Sequence, residues 1–369
     1  MTADTVRRIQ LAQVFLGVLT ILLVFDLSRR FLPAPLALVP ALLTALSPHL
    51  ATSGIYLLTE TLFAFLLVLT FWILARGIDH PRAGWLLLAG AVLAAAALTR
   101  PAVLYFVVPL ALLVAVWQPN RLRLAVALVL GFLLVFLPWT ARNLHTLNVT
   151  SDSALTINFL HHGLYPDFLY NDDPQTFAYP YRYDPESDRI SESVGSVLRE
   201  IGDRFQAEPV RYAHWYLVGK PMMLWSWHLT ESIGGPFVYE VSKTPYLTLP
   251  HFRGTYALMH ILHWPLVLLA AVASLLVWLP RGVLALSSST LWAGRSIALL
   301  VMFFLAIHMV GAPFPRYSVP MRPFIYALAL FPIGWLWERW VGGWLSAAWR
   351  RASLRTPAIS SPQNSRENQ

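Results

Sequence analysis

The 369-residue chain is 57% hydrophobic and only 12% charged, with a mean hydropathy of +0.56. A soluble domain carries about a quarter charged residues, so a water-facing globule is excluded. The net charge of +8 raises nucleic acid as a partner, but 13 acidic and 9 basic residues lie between Thr140 and Thr255, leaving 18 basic against 6 acidic elsewhere. A basic excess confined to short loops and a tail speaks for a lipid bilayer and against nucleic acid.

Apolar runs long enough to cross about 30 Å of hydrocarbon as helices fall at roughly 10–27, 34–50, 55–76, 84–99, 101–117, 122–138, 256–279, 291–312 and 321–341. They predict an all-α polytopic membrane protein of about nine transmembrane helices, with one large external loop between the sixth and seventh. Six spans occupy 1–139, the loop region 140–255, three spans 256–345 and a flexible tail 346–369. The tail turns to Ser, Pro, Asn and Arg from about Ser353, too few apolar groups to order itself. Arg29 and Arg30, Arg76 and Arg82, Arg121 and Arg123, Arg281, and Arg339 with Arg350, Arg351 and Arg355 share one face. The positive-inside rule makes that face cytoplasmic. The expected location is the plasma (inner) membrane, with the loop periplasmic or extracellular and the C-terminus cytoplasmic. Arg7 and Arg8 then fall outside, against the rule.

The loop mixes Tyr165, Phe168, Tyr170, Phe177, Tyr179, Tyr181 and Tyr183 with Asp, Pro and Asn, a composition suited to irregular, partly buried structure. Ser191 to Ala207 reads as an amphipathic helix, because Val194, Val197, Leu198, Ile201 and Phe205 share one face. Pro209 starts a second helix whose Trp215, Tyr216 and following apolar residues suit the membrane interface. With no cysteine there is no disulfide and no thiolate metal site. His161 and His162 are adjacent and point apart, and no zinc-type spacing occurs.

The groups able to carry chemistry are charged residues near the outer helix ends. Glu60 opens the third span; a carboxylate central in hydrocarbon costs roughly 2.5–3.5 kcal/mol, so it must face a cavity or a partner, or benefit from the helix N-terminus. Arg100 lies between the fourth and fifth spans, Arg142 and Asn143 after the sixth, and Arg316 and Tyr317 after the eighth. Three guanidiniums at one surface suit a phosphate headgroup, whose oxygens match the planar fork. Each alone is equally consistent with an arginine that snorkels to the interface. Lys220 reads as a further phosphate contact or a headgroup anchor. No Ser-His-Asp order, phosphate-cradling glycine loop or HExxH motif is present, so nothing supports a nucleophilic hydrolase, nucleotidase or intramembrane metalloprotease.

The ordered set Arg8-Ile-Gln-Leu through Leu27-Ser-Arg-Arg30, Ala45-Leu-Ser-Pro48, Leu57-Leu-Thr-Glu60-Thr-Leu-Phe63, Leu98-Thr-Arg-Pro101, Leu137-Pro-Trp139 with Arg142-Asn143, and Arg316-Tyr-Ser-Val-Pro320 resembles the GT-C membrane glycosyltransferases of family 39 type. These are relatives of the protein O-mannosyltransferases and the lipid A aminoarabinose transferase. The resemblance runs from about Arg7 to Trp337. It implies a GT-C-like bundle that moves a sugar from a polyprenyl-phosphate carrier to a lipid, glycan or protein acceptor at the outer membrane face. It also implies that Arg100, Arg142 and Arg316 contact the lipid phosphate while Glu60 shapes the cavity. The family's acidic catalytic residue lies on a first external loop that has no counterpart here, so the catalytic residue is unknown. No motif requires a cofactor, and a divalent cation is compatible with the chemistry. A polyprenyl-linked glycan ligase, a lipid-linked-sugar transporter and an inactive truncated homologue are the alternatives. The shared-site expectation is that Glu60, Arg142 and Arg316 converge.

Overall fold

A computed structural model describes residues 2–117, 121–150, 152–230, 235–239, 241, 243–337 and 339. The described chain is an all-α polytopic membrane protein. Its membrane part contains α1 (Ala3–Ser28), α2 (Ala34–Leu46), α3 (Glu60–Asp79), α4 (Ala83–Thr99), α5 (Val107–Trp117) and α6 (Arg121–Leu147). After the loop region, which carries α7 (Val194–Ala207), come α8 (Pro250–Leu276), α9 (Ser288–Val310), α10 (Arg322–Ala329) and α11 (Phe331–Trp337). Six segments are long and apolar enough to cross a bilayer: Ala3–Ser28, Glu60–Gly77, Leu122–Leu147, Pro250–Leu276, Ser288–Val310 and Pro315–Trp337. The shorter apolar helices Ala34–Leu46, Ala83–Thr99 and Pro101–Val116 account for the other three of the nine stretches. The tail at 346–369 lies outside the described residues.

Several boundaries differ from the sequence reading, the sixth span running on to Leu147 and the seventh starting at Pro250, and three of the differences have a clear local reason. The second span stops at Leu46 rather than 50, because Pro48 holds Ser47 extended (φ −65°, ψ 114°) and a separate helical turn, Pro48–Ser53, follows. The third starts at Glu60 rather than 55. Gln10 Nε2 and Gln13 Nε2 of α1 donate to the carbonyls of Ile55 and Leu58 at 2.8 and 2.9 Å, holding the connecting backbone outside the helix. The last span opens with a 3-10 helix, Pro315–Met321, and its proline-rich start carries Arg316 and Arg322 at its two ends.

The bundle is held by close backbone approach as well as apolar packing. Where α4 crosses α6, a Cβ on Gly90 would lie 1.9 Å from Leu128 O, and one on Gly131 would lie 1.9 Å from Leu87 O. Small residues at such crossings are how helices gain contact where surrounding lipid removes the hydrophobic drive. At the end away from the loop, the Asp26 carboxylate accepts from Trp72 Nε1 and Arg76 Nη2, both at 2.8 Å, and Arg30 pairs with Asp79. Two of the arginines that suggested a basic face, Arg30 and Arg76, are therefore tied to acids.

The loop region has small cores of its own. Leu160, Leu164, Tyr165, Ile190 and Val197 form one, and Phe168 and Trp215 join Ala312 and Phe314 in another that ties the loop to the end of α9. The second junction is tight: a Cβ on Gly163 would lie 2.3 Å from Gly311 O, and Trp215 Nε1 donates to Gly163 O at 2.9 Å. The amphipathic helix observed at Val194–Ala207 and the helix started by Pro209 match the sequence reading. The latter continues as a π-turn, Trp215–Gly219, and a further α-turn, Lys220–Leu224. Asp167, Phe168, Asn171, Asp172 and Ala178 all have positive φ, so the aromatic stretch is strongly bent without glycine.

Candidate functional site

Glu60 stands at the first position of α3, 1% exposed. Its Oε1 accepts from Arg316 Nε at 2.5 Å and lies 3.3 Å from Arg100 Nη1. Three separate stretches of chain meet here: the start of α3, the Arg100 break that ends α4, and the 3-10 helix after α9. Arg100 is placed by Pro101, which holds it extended (φ −146°, ψ 119°). Its guanidinium carbon lies 5.2 Å from the Tyr317 ring and 6.0 Å from the Phe63 ring. Tyr317 also faces His308, 5.5 Å between ring centres. A buried carboxylate flanked by two arginines is stable where a lone one is not, because each charge offsets the desolvation of the other. The second carboxylate oxygen, Glu60 Oε2, is buried with no hydrogen-bond partner.

Of the residues singled out by sequence, Glu60, Arg100, Arg316 and Tyr317 are thus brought together. Among the described residues no hydrogen bond or ion pair joins Arg142 or Asn143 to them. Arg142 is exposed near the end of α6 and donates to the neighbouring Asn143 Oδ1 at 3.1 Å, and Asn143 is buried. No hydrogen bond or ion pair among the described residues joins Arg142 to Glu60, so the expected convergence of Glu60, Arg142 and Arg316 is met by Arg100 in place of Arg142. Lys220 is neither a surface anchor nor an open phosphate contact. It is fully buried, its Nζ 3.4 Å from the centre of the Tyr216 ring and 3.3 Å from Val310 O, and burial holds its amine down at about 6.

Two further polar assemblies were not singled out from the sequence. In the loop, Tyr165 donates to Asp184 Oδ2 at 2.8 Å, Arg204 Nη2 donates to the same oxygen at 3.1 Å, and Arg204 Nε reaches Glu200 at 2.8 Å. Burial and the Asp184 carboxylate push the Tyr165 hydroxyl above its ordinary range. His161 lies behind it, its Nε2 3.0 Å from the Tyr165 oxygen, while His162 packs edge-on against Tyr181 at 4.3 Å. Burial, reinforced by His161 and Arg182, lowers His162 to about 4. The second assembly surrounds Trp227 inside the bundle and contains His49, His263 and Arg322. The sequence did carry a signal for it: an arginine at the start of an apolar span, in Pro320-Met-Arg322-Pro323, marks a polar site by default.

Cavities of about 780 Å³, bordered by Tyr246, Arg253 and Tyr256, and about 490 Å³, bordered by Asp167, Asp172, Arg211 and Trp215, open in the loop region. Neither is lined by Glu60, Arg100 or Arg316. Among the described residues, no three His, Cys, Asp or Glu side chains gather as a metal cage.

Residues 2–141 match the family described as dolichyl-phosphate-mannose-protein mannosyltransferase. The match supports a GT-C-like glycosyltransferase. It covers Glu60 and Arg100 and ends one residue before Arg142, while Arg316 and Tyr317 lie outside it. The ionic cluster therefore joins the matched part of the chain to the unmatched C-terminal part. No curated protein and no solved structure matches the chain. These findings show a multi-pass membrane protein whose residues 2–141 are similar to a family of membrane glycosyltransferases.

Proposed function

We propose that the protein transfers a sugar from a polyprenyl-phosphate donor to a lipid, glycan or protein acceptor at the outer face of the plasma (inner) membrane, with the 140–255 region on that side. The observation that carries this reading is the meeting of Glu60 and Arg100, inside the family match, with Arg316, outside it. In the reaction, the bond between the anomeric carbon and the phosphate oxygen breaks, and a bond from that carbon to an acceptor oxygen forms. The phosphate leaves with the carrier, and the acceptor proton passes to a basic oxygen. Arg100 and Arg316 supply what the leaving phosphate needs, since guanidiniums stabilise charge that develops as the bond breaks. Glu60 holds the two arginines together, and its unpartnered Oε2 is available to accept from a hydroxyl of the sugar or acceptor. Arg142 and Asn143, on α6, fit a peripheral contact to the carrier headgroup. The test is reconstitution of the full chain in vesicles with radiolabelled polyprenyl-phosphate sugars. Label moving from carrier to an acceptor in the wild type, and much less in Arg316→Ala, supports the reading. Label that crosses the bilayer still attached to its carrier would identify a transporter instead.

A further inference from the structure

Among the described residues two arginines are buried in the bundle, and only one of them has its charge offset. Arg295 points its Nε and Nη2 at the carbonyls of Val277 and Leu279, at the end of α8, at 2.8 and 3.1 Å. The carbonyl end of a helix is a natural home for a cation. Arg322, 3% exposed, has neither a helix carbonyl end nor an acid against it among the described residues, and the Tyr326 hydroxyl is a neutral neighbour. Its Nη1 lies 3.3 Å from His263 Nδ1, its Nη2 3.5 Å from Ser226 O, and its guanidinium carbon 5.8 Å from the Trp227 ring centre. No ion pair to a carboxylate reaches it among the described residues, and its Nε–H is buried with no acceptor.

His49 presents the complementary gap. It is 1% exposed, edge-on to the same Trp227 indole at 4.5 Å. Its Nε2 lies 2.7 Å from Trp227 O, and a carbonyl can only accept, so the proton sits on Nε2. Burial, with the Arg322 charge nearby, keeps the ring neutral, so Nδ1 is a bare lone pair, and it too is buried without a partner. His263 is fixed in the same way, its Nε2 donating to Trp225 O at 2.6 Å, but its Nδ1 is used by Arg322. A donor on an unneutralised cation and an acceptor on a neutral ring are thus both left open beside one indole.

We propose that this place is a binding site for a phosphate monoester, or for hydrogen phosphate itself. The occupant must accept from Arg322 Nε–H, donate to His49 Nδ1 and bring negative charge, because a buried cation with no counterion is costly. Water meets the two hydrogen bonds but not the charge. Chloride or a carboxylate meets the charge but has no proton for His49. A phosphodiester has lost its P–OH. A singly protonated monoester has both the anionic oxygen and the hydroxyl. The inference deepens the transferase reading and rests on it for its biological meaning: the sugar donor is a phosphodiester, whereas the carrier released after transfer is a monoester, so the site selects product from substrate.

The test titrates the detergent-solubilised full chain with inorganic phosphate, farnesyl monophosphate and farnesyl methyl phosphate, following Tm and calorimetric heat. The monoester is expected to bind at least tenfold more tightly than the diester, and Arg322→Gln to abolish binding. Should Arg322→Gln fail to fold, His49→Gln serves: its amide reproduces the Nε2–H bond to Trp227 O and removes only the Nδ1 acceptor. It should bring monoester and diester to parity. Equal binding of inorganic phosphate and the prenyl form places the source in water, and binding of the prenyl form alone places it in the lipid carrier; both support a phosphate site. An absence of binding, or a preference unchanged in His49→Gln, overturns the proposal and leaves an ordered water only. Wild-type protein that selects the monoester but transfers no sugar keeps the site and removes the transferase reading. Sugar transfer without monoester preference does the reverse.

Discussion

The Glu60 carboxylate and the Arg316 guanidinium, 256 positions apart in sequence, meet at 2.5 Å inside the bundle. Arg100 lies against the same carboxylate oxygen at 3.3 Å, so removing Glu60 takes the shared counter-charge from both arginines, whereas removing Arg316 leaves Glu60 with Arg100. Glu60→Ala should lower unfolding stability by about 3–5 kcal/mol, the usual cost of breaking a buried pair from one side. Thermal unfolding in detergent measures it, and a variant that melts with the wild type would show that the pair is not structural. Arg316→Ala should reduce sugar transfer by about 10²–10³-fold. Arg316→Lys should recover only part of that, because an ammonium cannot reproduce the planar fork.

Lys220 predicts a pH dependence of the loop region. Its folded amine titrates at about 6 against an ordinary value of 10.5, because burial disfavours the ammonium. Between those values the unfolded chain binds a proton that the folded chain does not. Stability therefore rises with pH across that window, by up to about 1.4 kcal/mol per unit, and the contribution levels off below the folded value. Melting curves at intervals from pH 5 to 10 should show this slope flattened in Lys220→Met. An unchanged slope in that variant would assign the dependence to another group.

The crossing of α4 and α6 tolerates no side chain. Gly131→Val should destabilise by at least about 1–3 kcal/mol, since the atoms it meets are backbone and cannot rotate away. Gly17, with nothing within 4 Å of a built Cβ, is the internal control, and Gly17→Ala should melt as the wild type does.

The loop's polar knot should fail separately from the bundle. Asp184→Ala leaves Arg204 without its 3.1 Å acceptor and Tyr165 without its 2.8 Å acceptor, and a loss of about 3–5 kcal/mol is expected. Tyr165→Phe removes one hydrogen bond and should cost about 1 kcal/mol. Limited proteolysis should cut Asp184→Ala within 160–205 while the membrane fragments persist. Equal resistance in wild type and variant would argue that the knot adds no rigidity.

The helical bundle was legible because hydrocarbon permits few backbone solutions, and nine apolar stretches of suitable length leave little choice. What the pattern could not convey was where short elements break the helices. Pro48 was visible as a proline, yet nothing local says that the turn after it brings His49 beneath Trp227. The arginine cluster was half legible: the expectation that external arginines share a site led to Arg100 and Arg316, but also to Arg142, because sequence gives depth along a helix and not the direction a side chain takes around it. Arg322 sits at the head of an apolar span, and its burial without a carboxylate becomes visible only in three dimensions. The Asp184 knot joins residues from separate turns of an irregular loop, for which no periodicity exists to be read.

The 3-10 segment Pro315–Met321 bears Arg316 near its start, and Arg322 follows directly after its end. At about 2 Å per residue the six steps from one to the other span about 12 Å, and at three residues per turn both lie on the same side of the coil. The segment is therefore a ruler and a compass together. Inserting a single residue within it would lengthen the gap by about 2 Å but turn Arg322 through about 120°, out of reach of His263. Deletions of one residue should be equally harmful, whereas a three-residue insertion, restoring the bearing and changing only the distance, is the mildest length change this part of the chain can accept.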